Sequence, residues 1–91
     1  MPQLYQHPTP NPNSIKITTD GAQFLDSGLE SFSTASEAEG HPLGAALFQV
    51  RGVQNVLILP DFLTITKAPA ANWSLMWEAI QEALQAHLGN A

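Results

Sequence analysis

Residues 40–67, GHPLGAALFQVRGVQNVLILPDFLTITK, carry most of the information about the fold. The first half of this stretch predicts a short helix. Pro42 suits the first helical turn, where its missing N–H would have no intrahelical partner, and Gly52 suits a left-handed position beyond the helix end. Apolar residues between them recur at helical spacing and form one stripe, which consists of Leu43, Ala46, Leu47 and Val50.

The second half of the same stretch predicts a β-hairpin. Residues 53–59 are rich in β-type side chains, and residues 62–66 alternate between apolar and polar side chains with period two. Pro60 and Asp61 lie between these two strands and are residue types typical of a tight turn. Most of the apolar side chains lie in this helix and hairpin and in one later helix, so these elements are expected to form the core.

The chain before this stretch predicts two strands and two irregular segments. Residues 7–13 contain three prolines at alternate positions, which predicts a stiff, extended segment that is not helical. Residues 14–19 alternate as a strand, and residues 24–32 predict a second strand that bends at Gly28. Residues 33–40 are small and polar and predict a loop.

The last part of the chain predicts the clearest helix. Asn72 is a suitable N-cap and Gly89 a suitable end. One face between them is apolar and consists of Trp73, Met76, Trp77, Ile80, Leu84 and Leu88. The order β-β-α-β-β-α predicts an α+β fold, in which a four-stranded, mostly antiparallel sheet carries two helices on one face. The length predicts that residues 1–91 form a single domain.

The composition excludes several classes of function. The 91 residues contain no cysteine, which excludes disulfides, thiolate zinc sites and cysteine-ligated iron–sulfur clusters held by this chain. Eight acidic residues against three basic ones disfavour binding to nucleic acid or to an anionic membrane surface. The first residues lack the basic and apolar regions of a secretory signal, so a cytoplasmic protein is expected.

No residue pattern indicates a catalyst, and we predict that the chain is not an enzyme. The serines lack a nucleophile elbow, and no glycine-rich phosphate loop follows a strand. The three histidines and eight acids are dispersed along the chain, so the sequence predicts no catalytic, metal or cofactor site.

Several motifs resemble those of a known family. Residues 9–17, TPNPNSIKI, resemble the opening TPNPNSLKF of the N-terminal domain of Nfu/NifU-type iron–sulfur scaffold proteins. Five later pieces are similar to the pattern of that domain and follow in the same order: Pro42-Leu43, Leu47-Phe48, Gly52-Val53, DFLTITK at residues 61–67, and Trp73. Two positions depart from it, since His41 replaces the usual small hydroxyl residue and Gly44 replaces a common alanine.

The resemblance implies a role in iron–sulfur cluster assembly or delivery. The cluster-binding domain of the family carries a Cys-x-x-Cys pair that these 91 residues lack, so a stand-alone accessory domain is implied. Such an accessory or interaction domain would bind no cluster itself and would act through a cysteine-bearing scaffold, carrier or client protein. The alternative is a general protein–protein interaction module without any iron role.

The proline-rich segment is one candidate for partner binding. Asn11 and Asn13 lie between and after its prolines, and two interpretations are open. In the first, the amides cap backbone groups in a stiff turn. In the second, the prolines preorganise the loop to bind a partner, because a stiff loop loses less entropy on binding.

The strand at residues 53–59 is the other candidate, because both of its faces are apolar. With helices on one face of the sheet only, Leu57 and Leu59 would lie on the other face. There they would form an interaction patch beside Thr64 and Thr66. The occupant would be a partner protein, or a second copy of the chain in a homodimer. The alternative is that the proline-rich segment folds back across the sheet and covers these leucines.

Overall fold

The computed structural model of the chain describes residues 3–20, 23–25 and 27–89. Its elements, in chain order, are β1 (Leu4–Pro8), β2 (Ser14–Thr19), β3 (Glu30–Phe32), α1 (Ala35–Ala38), α2 (Pro42–Phe48), β4 (Val53–Ile58), β5 (Phe62–Lys67) and α3 (Trp73–Gly89). The strands form one sheet in the order β1-β2-β5-β4-β3, and all neighbouring strands are antiparallel. The α+β class with an antiparallel sheet is therefore confirmed.

The prediction of four strands is wrong, because the sheet has five. The additional strand is β1, which overlaps the start of the proline-rich segment and pairs with β2 from Leu4↔Thr19 to Pro8↔Ile15. Proline cannot donate a hydrogen bond and normally excludes a strand, but it is tolerated in an edge strand where its nitrogen faces away from the neighbour. Because β1 is an edge strand, Pro8 does not prevent the pairing.

The predicted second strand is also shorter than expected. Only Glu30–Phe32 forms a strand, and it pairs with β4. Residues 23–25 run as irregular chain, where Phe24 is buried and its N–H donates to the Pro60 C=O at 3.1 Å. Asp26, within the predicted strand, lies outside the described residues, and Gly28 takes a positive φ of 80°.

The predicted loop at residues 33–40 contains the short helix α1. Thr34 caps it, with its hydroxyl accepting from the Glu37 N–H at 3.1 Å. The Glu37 carboxylate accepts from the Ser33 N–H at 2.6 Å, so side chains at both positions satisfy backbone donors at the start of the helix. A Thr-x-x-Glu pattern is a helix-start signal, and local capping overrides the low apolar content of this segment.

The core lies on one face of the sheet, and α2 and α3 pack against it. The buried strand residues share that face, and they are Ile15, Ile17, Val56, Ile58, Leu63 and Ile65. The helices contribute Leu43, Leu47, Met76, Ile80, Leu84 and Leu88 to the same cluster. Trp73 and Trp77 are half-buried at the edge of the α3 stripe. The opposite face of the sheet is called the open face below.

The helix starts and the turns follow the sequence signals closely. Asn72 caps α3 by accepting from the Ser74 N–H at 2.8 Å. His41 takes the N-cap of α2, where its Nδ1 accepts from the Gly44 N–H at 3.1 Å. Gly52 has a φ of +101°, and a Cβ there would lie 2.9 Å from the Ala71 Cβ, so both its backbone and its surroundings favour glycine.

The packing of α3 can be tested at Ile80, whose side chain is fully buried. Ile80→Ala should lower the free energy of unfolding by about 2–5 kcal/mol, because it removes packed methyl groups and leaves a cavity. Leu75→Ala is the matched control on the same helix, since Leu75 is 82% exposed. This control should change stability by less than about 0.5 kcal/mol. Chemical denaturation measures both, and an unchanged midpoint for Ile80→Ala would contradict this orientation of α3.

Candidate partner-binding surfaces

The proline-rich loop between β1 and β2 is held by its own side chains. The Asn11 Oδ1 accepts from the Asn13 N–H at 2.9 Å, and the Ser14 N–H donates to the Asn11 C=O at 3.0 Å. The Thr9 hydroxyl donates to the carbonyls of Asn11 and Ser14, at 2.8 and 3.1 Å. This is the amide-capped turn of the first interpretation. A direct role of Asn11 and Asn13 in partner binding stays a prediction.

Asn13 joins this loop to the end of β5 and the start of α3. Its Oδ1 accepts from the Lys67 Nζ at 3.1 Å, and its C=O accepts from the Lys67 N–H at 2.7 Å. Lys67 is only 8% exposed, and its Nζ also donates to the Ala68 C=O at 3.4 Å and lies 5.9 Å from the centre of the Trp73 ring. The Trp73 Nε1–H donates to the Pro12 C=O at 3.3 Å. Three of the motifs that carry the family resemblance thus meet at one end of the sheet, namely the opening segment, the end of DFLTITK and Trp73.

The second candidate patch lies on the open face, as the alternation predicts. Leu57 is directly opposite Thr64, and Asn55 is directly opposite Thr66. Leu59 follows β4 at the hairpin turn, where its N–H donates to the Phe62 C=O at 2.8 Å. The patch side chains are half-buried, namely Leu57, Leu59, Thr64 and Thr66. Their participation in binding stays a prediction.

The proline-rich segment does not cover this patch in the described structure. Its first residues form the edge strand β1, and its turn is tied to Lys67 and Trp73 at the end of the sheet. The two candidate segments are nevertheless neighbours, because the Ser14 and Thr66 hydroxyl oxygens lie 2.8 Å apart. The loop therefore adjoins one end of the open face.

Sequence reasoning misses two further residues of the open face. Lys16 pairs with Thr64 and Phe62 pairs with Thr18, which places both on this face. The Lys16 Nζ lies 4.7 Å from the centre of the Phe62 ring, a cation–π contact. The period-two rule could have found Phe62, because it has the same parity as Thr64. The contact with Lys16 depends on the strand register.

The histidines serve separate roles in the described residues. The His7 Nε2 lies 2.8 Å from the Thr18 hydroxyl oxygen, and His41 caps α2. Partial burial lowers the pKa of His87, and the nearby His41 lowers it further, while a hydrogen bond with the Phe24 backbone opposes both effects. A neutral imidazole is therefore favoured at His87, in keeping with a packing role at the edge of α3.

The described residues contain no group of three or more histidine, cysteine, aspartate or glutamate side chains placed to hold a metal ion. Among the same residues, none of the helices is both long and apolar enough to cross a membrane.

The contact between Asn13 and Lys67 can be tested by a double-mutant cycle. Asn13→Ala should lower the free energy of unfolding by about 1–3 kcal/mol, because a buried ammonium group loses an acceptor. In a Lys67→Met background the same change should have a smaller effect, since the donor is no longer present. Thermal or chemical denaturation of the four proteins gives the coupling. Equal effects of Asn13→Ala in both backgrounds would contradict the contact.

Curated relatives support the resemblance over most of the chain. The human NFU1 iron-sulfur cluster scaffold homolog, mitochondrial, is 34% identical over 87 residues, which cover 84% of this chain and 34% of that protein. The protein of the same name from Drosophila ananassae is 42% identical over 69 residues, which cover 75% of this chain and 24% of that protein. The chain thus spans about a quarter to a third of the length of these relatives.

These relatives contradict the expectation of a cytoplasmic protein. Both carry the word mitochondrial in their names. The expectation rested on the lack of a secretory signal near the first residue, and that observation does not distinguish one non-secretory compartment from another. The inference from the sequence was therefore wrong.

Solved structures share the fold. The NifU-like protein from Saccharomyces cerevisiae superposes with a TM-score of 0.83 at 24% identity, over 99% of this chain and 81% of that chain. A Staphylococcus aureus protein superposes with a TM-score of 0.71 at 20% identity, over 88% of this chain and 94% of that chain. At these identities the likeness concerns the fold alone.

The family itself is shown by a match over nearly the whole chain. Residues 4–91 match the family described as "Scaffold protein Nfu/NifU N terminal". The matched range includes the loop at residues 9–13, the hairpin and the Lys67–Trp73 contact. The chain belongs to the Nfu/NifU N-terminal domain family.

Proposed function

We propose that this chain is an accessory domain that contacts a cysteine-bearing protein during iron–sulfur cluster assembly or delivery. The open face of the sheet is the contact surface, and the partner is a scaffold, carrier or client protein. The observation that carries the proposal is the combination of family membership with a chain that has no cysteine. Because clusters are normally held by thiolates, the cluster belongs on the partner and no cofactor on this chain.

The chemistry of the open face supports this contact. Its central positions combine the apolar side chains of Leu57 and Phe62 with the hydroxyl groups of Thr64 and Thr66. Among the paired positions of this face in the described strands, Lys16 is the one charged side chain. The chain as a whole has a formal net charge of −5. Asp20 lies just beyond the end of β2, where its carboxylate accepts from the Tyr5 hydroxyl at 2.7 Å. The paired positions of this face in the described strands carry no carboxylate, which limits electrostatic repulsion of thiolate ligands, because these are anionic.

The same face also fits a general interaction module without an iron role. Apolar side chains in a polar surround mark many kinds of protein contact. Both candidates are non-enzymatic, which accords with a family described as scaffold proteins. The two candidates predict different results when the cysteines of the partner are replaced, because only the iron–sulfur role makes binding depend on them. Equal affinity for a scaffold and for its cysteine-to-serine variant, both without cluster, would favour the general module.

A matched pair of variants tests the surface. Leu57→Ser/Leu59→Ser should weaken binding to a cluster-loaded, cysteine-bearing scaffold protein at least about tenfold, because it removes the apolar centre of the patch. Leu75→Ser removes a leucine that is 82% exposed on α3, remote from the open face, and should leave the affinity within about twofold. Isothermal titration calorimetry under anaerobic conditions measures both.

Two further measurements make the result decisive. Circular dichroism must show that the double variant is folded, because both leucines are half-buried. With a folded double variant, unchanged affinity would contradict the open face as the contact surface. Lack of binding by the wild-type chain to any cysteine-bearing scaffold of the same genome would contradict the proposed function itself.

A further inference from the structure

The outer edge of β1 is distinct from the open face and carries free backbone groups. The Asp20 N–H donates to the Gln3 C=O at 3.4 Å, so Gln3 and Asp20 form a hydrogen-bonded cross-strand pair just before β1 and just after β2. Antiparallel pairs alternate between hydrogen-bonded and non-hydrogen-bonded. By this alternation Tyr5 and His7 turn their backbone groups toward β2. Leu4 and Gln6 therefore point their N–H and C=O groups away from the sheet.

Pro8 supports this assignment independently. It is directly opposite Ile15 and has the same parity as Leu4 and Gln6, so its nitrogen faces away from β2. An outward-facing position is the kind that a proline can occupy in a paired strand, because no ladder hydrogen bond is lost there. The hydrogen bond at one end of β1 and the proline at the other thus both indicate that the backbone groups of Leu4 and Gln6 point away from β2.

This edge lacks most of the features that protect sheet edges. The β1 strand, LYQHP, contains no lysine, arginine, aspartate or glutamate, and all of its residues except Leu4 are exposed. The opposite edge, β3, has three residues and begins at the charged Glu30. Short and charged edges resist pairing with other chains, whereas long neutral edges favour it. Only Pro8 limits β1, and it does so at the end of the strand.

A groove lies beside this edge on the helix-facing side of the sheet. It has a volume of about 280 Å³, and its lining includes Gln6, Pro8, Pro12, Ile15 and Trp73. The indole ring is held in place, because its Nε1–H donates to the Pro12 C=O. A fixed aromatic wall loses little entropy when it receives an apolar side chain.

We infer that the outer edge of β1 binds an extended segment of a partner protein as a sixth strand, and that an apolar side chain of this segment enters the groove at Trp73. Backbone hydrogen bonds to Leu4 and Gln6 supply the pairing, and the groove supplies selectivity, as in other cases of strand addition. The side chains of Leu4, Gln6 and Pro8 share the helix-facing side with the groove. Alternate residues of the added strand therefore face it.

The charges favour a non-acidic segment over a second copy of the chain. Each copy has a formal net charge of −5, so two copies repel each other when their edges approach. Asp20 lies at the Leu4 end of the edge, where the Tyr5 hydroxyl donates to its carboxylate at 2.7 Å. A neutral or basic segment avoids repulsion at this end. This inference is independent of the open face and of any iron role.

A selection experiment with edge variants tests the inference. The full chain is used to select from a phage-displayed library of random dodecapeptides, and the enriched peptides are synthesised. They should alternate between apolar and polar residues and avoid acidic ones. Gln6→Pro should weaken their binding at least about tenfold, because it removes the outward N–H and adds a ring at the edge. Gln6→Ala is the matched reference, because it removes the same groove-lining amide and keeps the N–H, so the tenfold loss is measured relative to it.

Nuclear magnetic resonance of the wild-type chain keeps the test independent of how Gln6→Pro folds. Saturating peptide should protect the amide protons of Leu4 and Gln6 from exchange and shift the Trp73 Nε1–H resonance. Enrichment of no peptide, undiminished binding to folded Gln6→Pro, or unprotected Leu4 and Gln6 amides would overturn the inference. A dimer of the chain that Gln6→Pro dissociates and that excludes the peptide would also overturn it, since the occupant would then be a second copy.

Discussion

The Lys67 ammonium group is the constraint on which the rest of this arrangement depends. The residue is only 8% exposed, and its Nζ donates to the neutral oxygens of Asn13 and Ala68. A buried charge without hydrogen-bond partners is strongly destabilising, so the proline-rich loop must keep Asn13 in place. The Trp73 ring lies beside the same ammonium group, and its Nε1–H donates to the Pro12 C=O. One cation thereby joins the loop, the end of β5 and the start of α3.

Both proposed surfaces follow from this junction and from the way the helices cover the sheet. The helices α2 and α3 pack on one face of the sheet only. No helix covers the open face in the described structure, so the side chains of Leu57, Phe62 and Thr64 there are half-buried and not fully buried. The proline-rich loop is hydrogen-bonded to Lys67 through Asn13 and so does not lie across the open face. In the same loop, the Pro12 C=O accepts from the Trp73 Nε1–H and holds Trp73 as the wall of the groove beside β1. A small chain without cysteine can in this way offer two separate surfaces for protein contacts.

Local sequence patterns predict most of the helices and strands, whereas the edge strand β1 and the long-range side-chain contacts depend on the tertiary structure. The helix α2, the β4–β5 hairpin and α3 are predictable because spacing, caps and turn residues lie within each element. The strand β1 is not, because Pro8 is tolerated only through the register with Ile15. The Asn13–Lys67 contact joins residues 54 positions apart, and no local signal pairs them. On the open face, parity predicts Leu57 and Thr64, but the contact of Lys16 with Phe62 requires the strand order.

The central claim is that the cluster is held by a cysteine-bearing partner and not by this chain. The most direct measurement mixes the chain with a cysteine-bearing scaffold during anaerobic cluster assembly, separates the two proteins, and determines iron and sulfide in each. The account predicts that all of the iron–sulfur chromophore remains with the cysteine-bearing protein, because thiolates are the ligands that hold it. An iron–sulfide chromophore that remains with the separated chain would contradict the account.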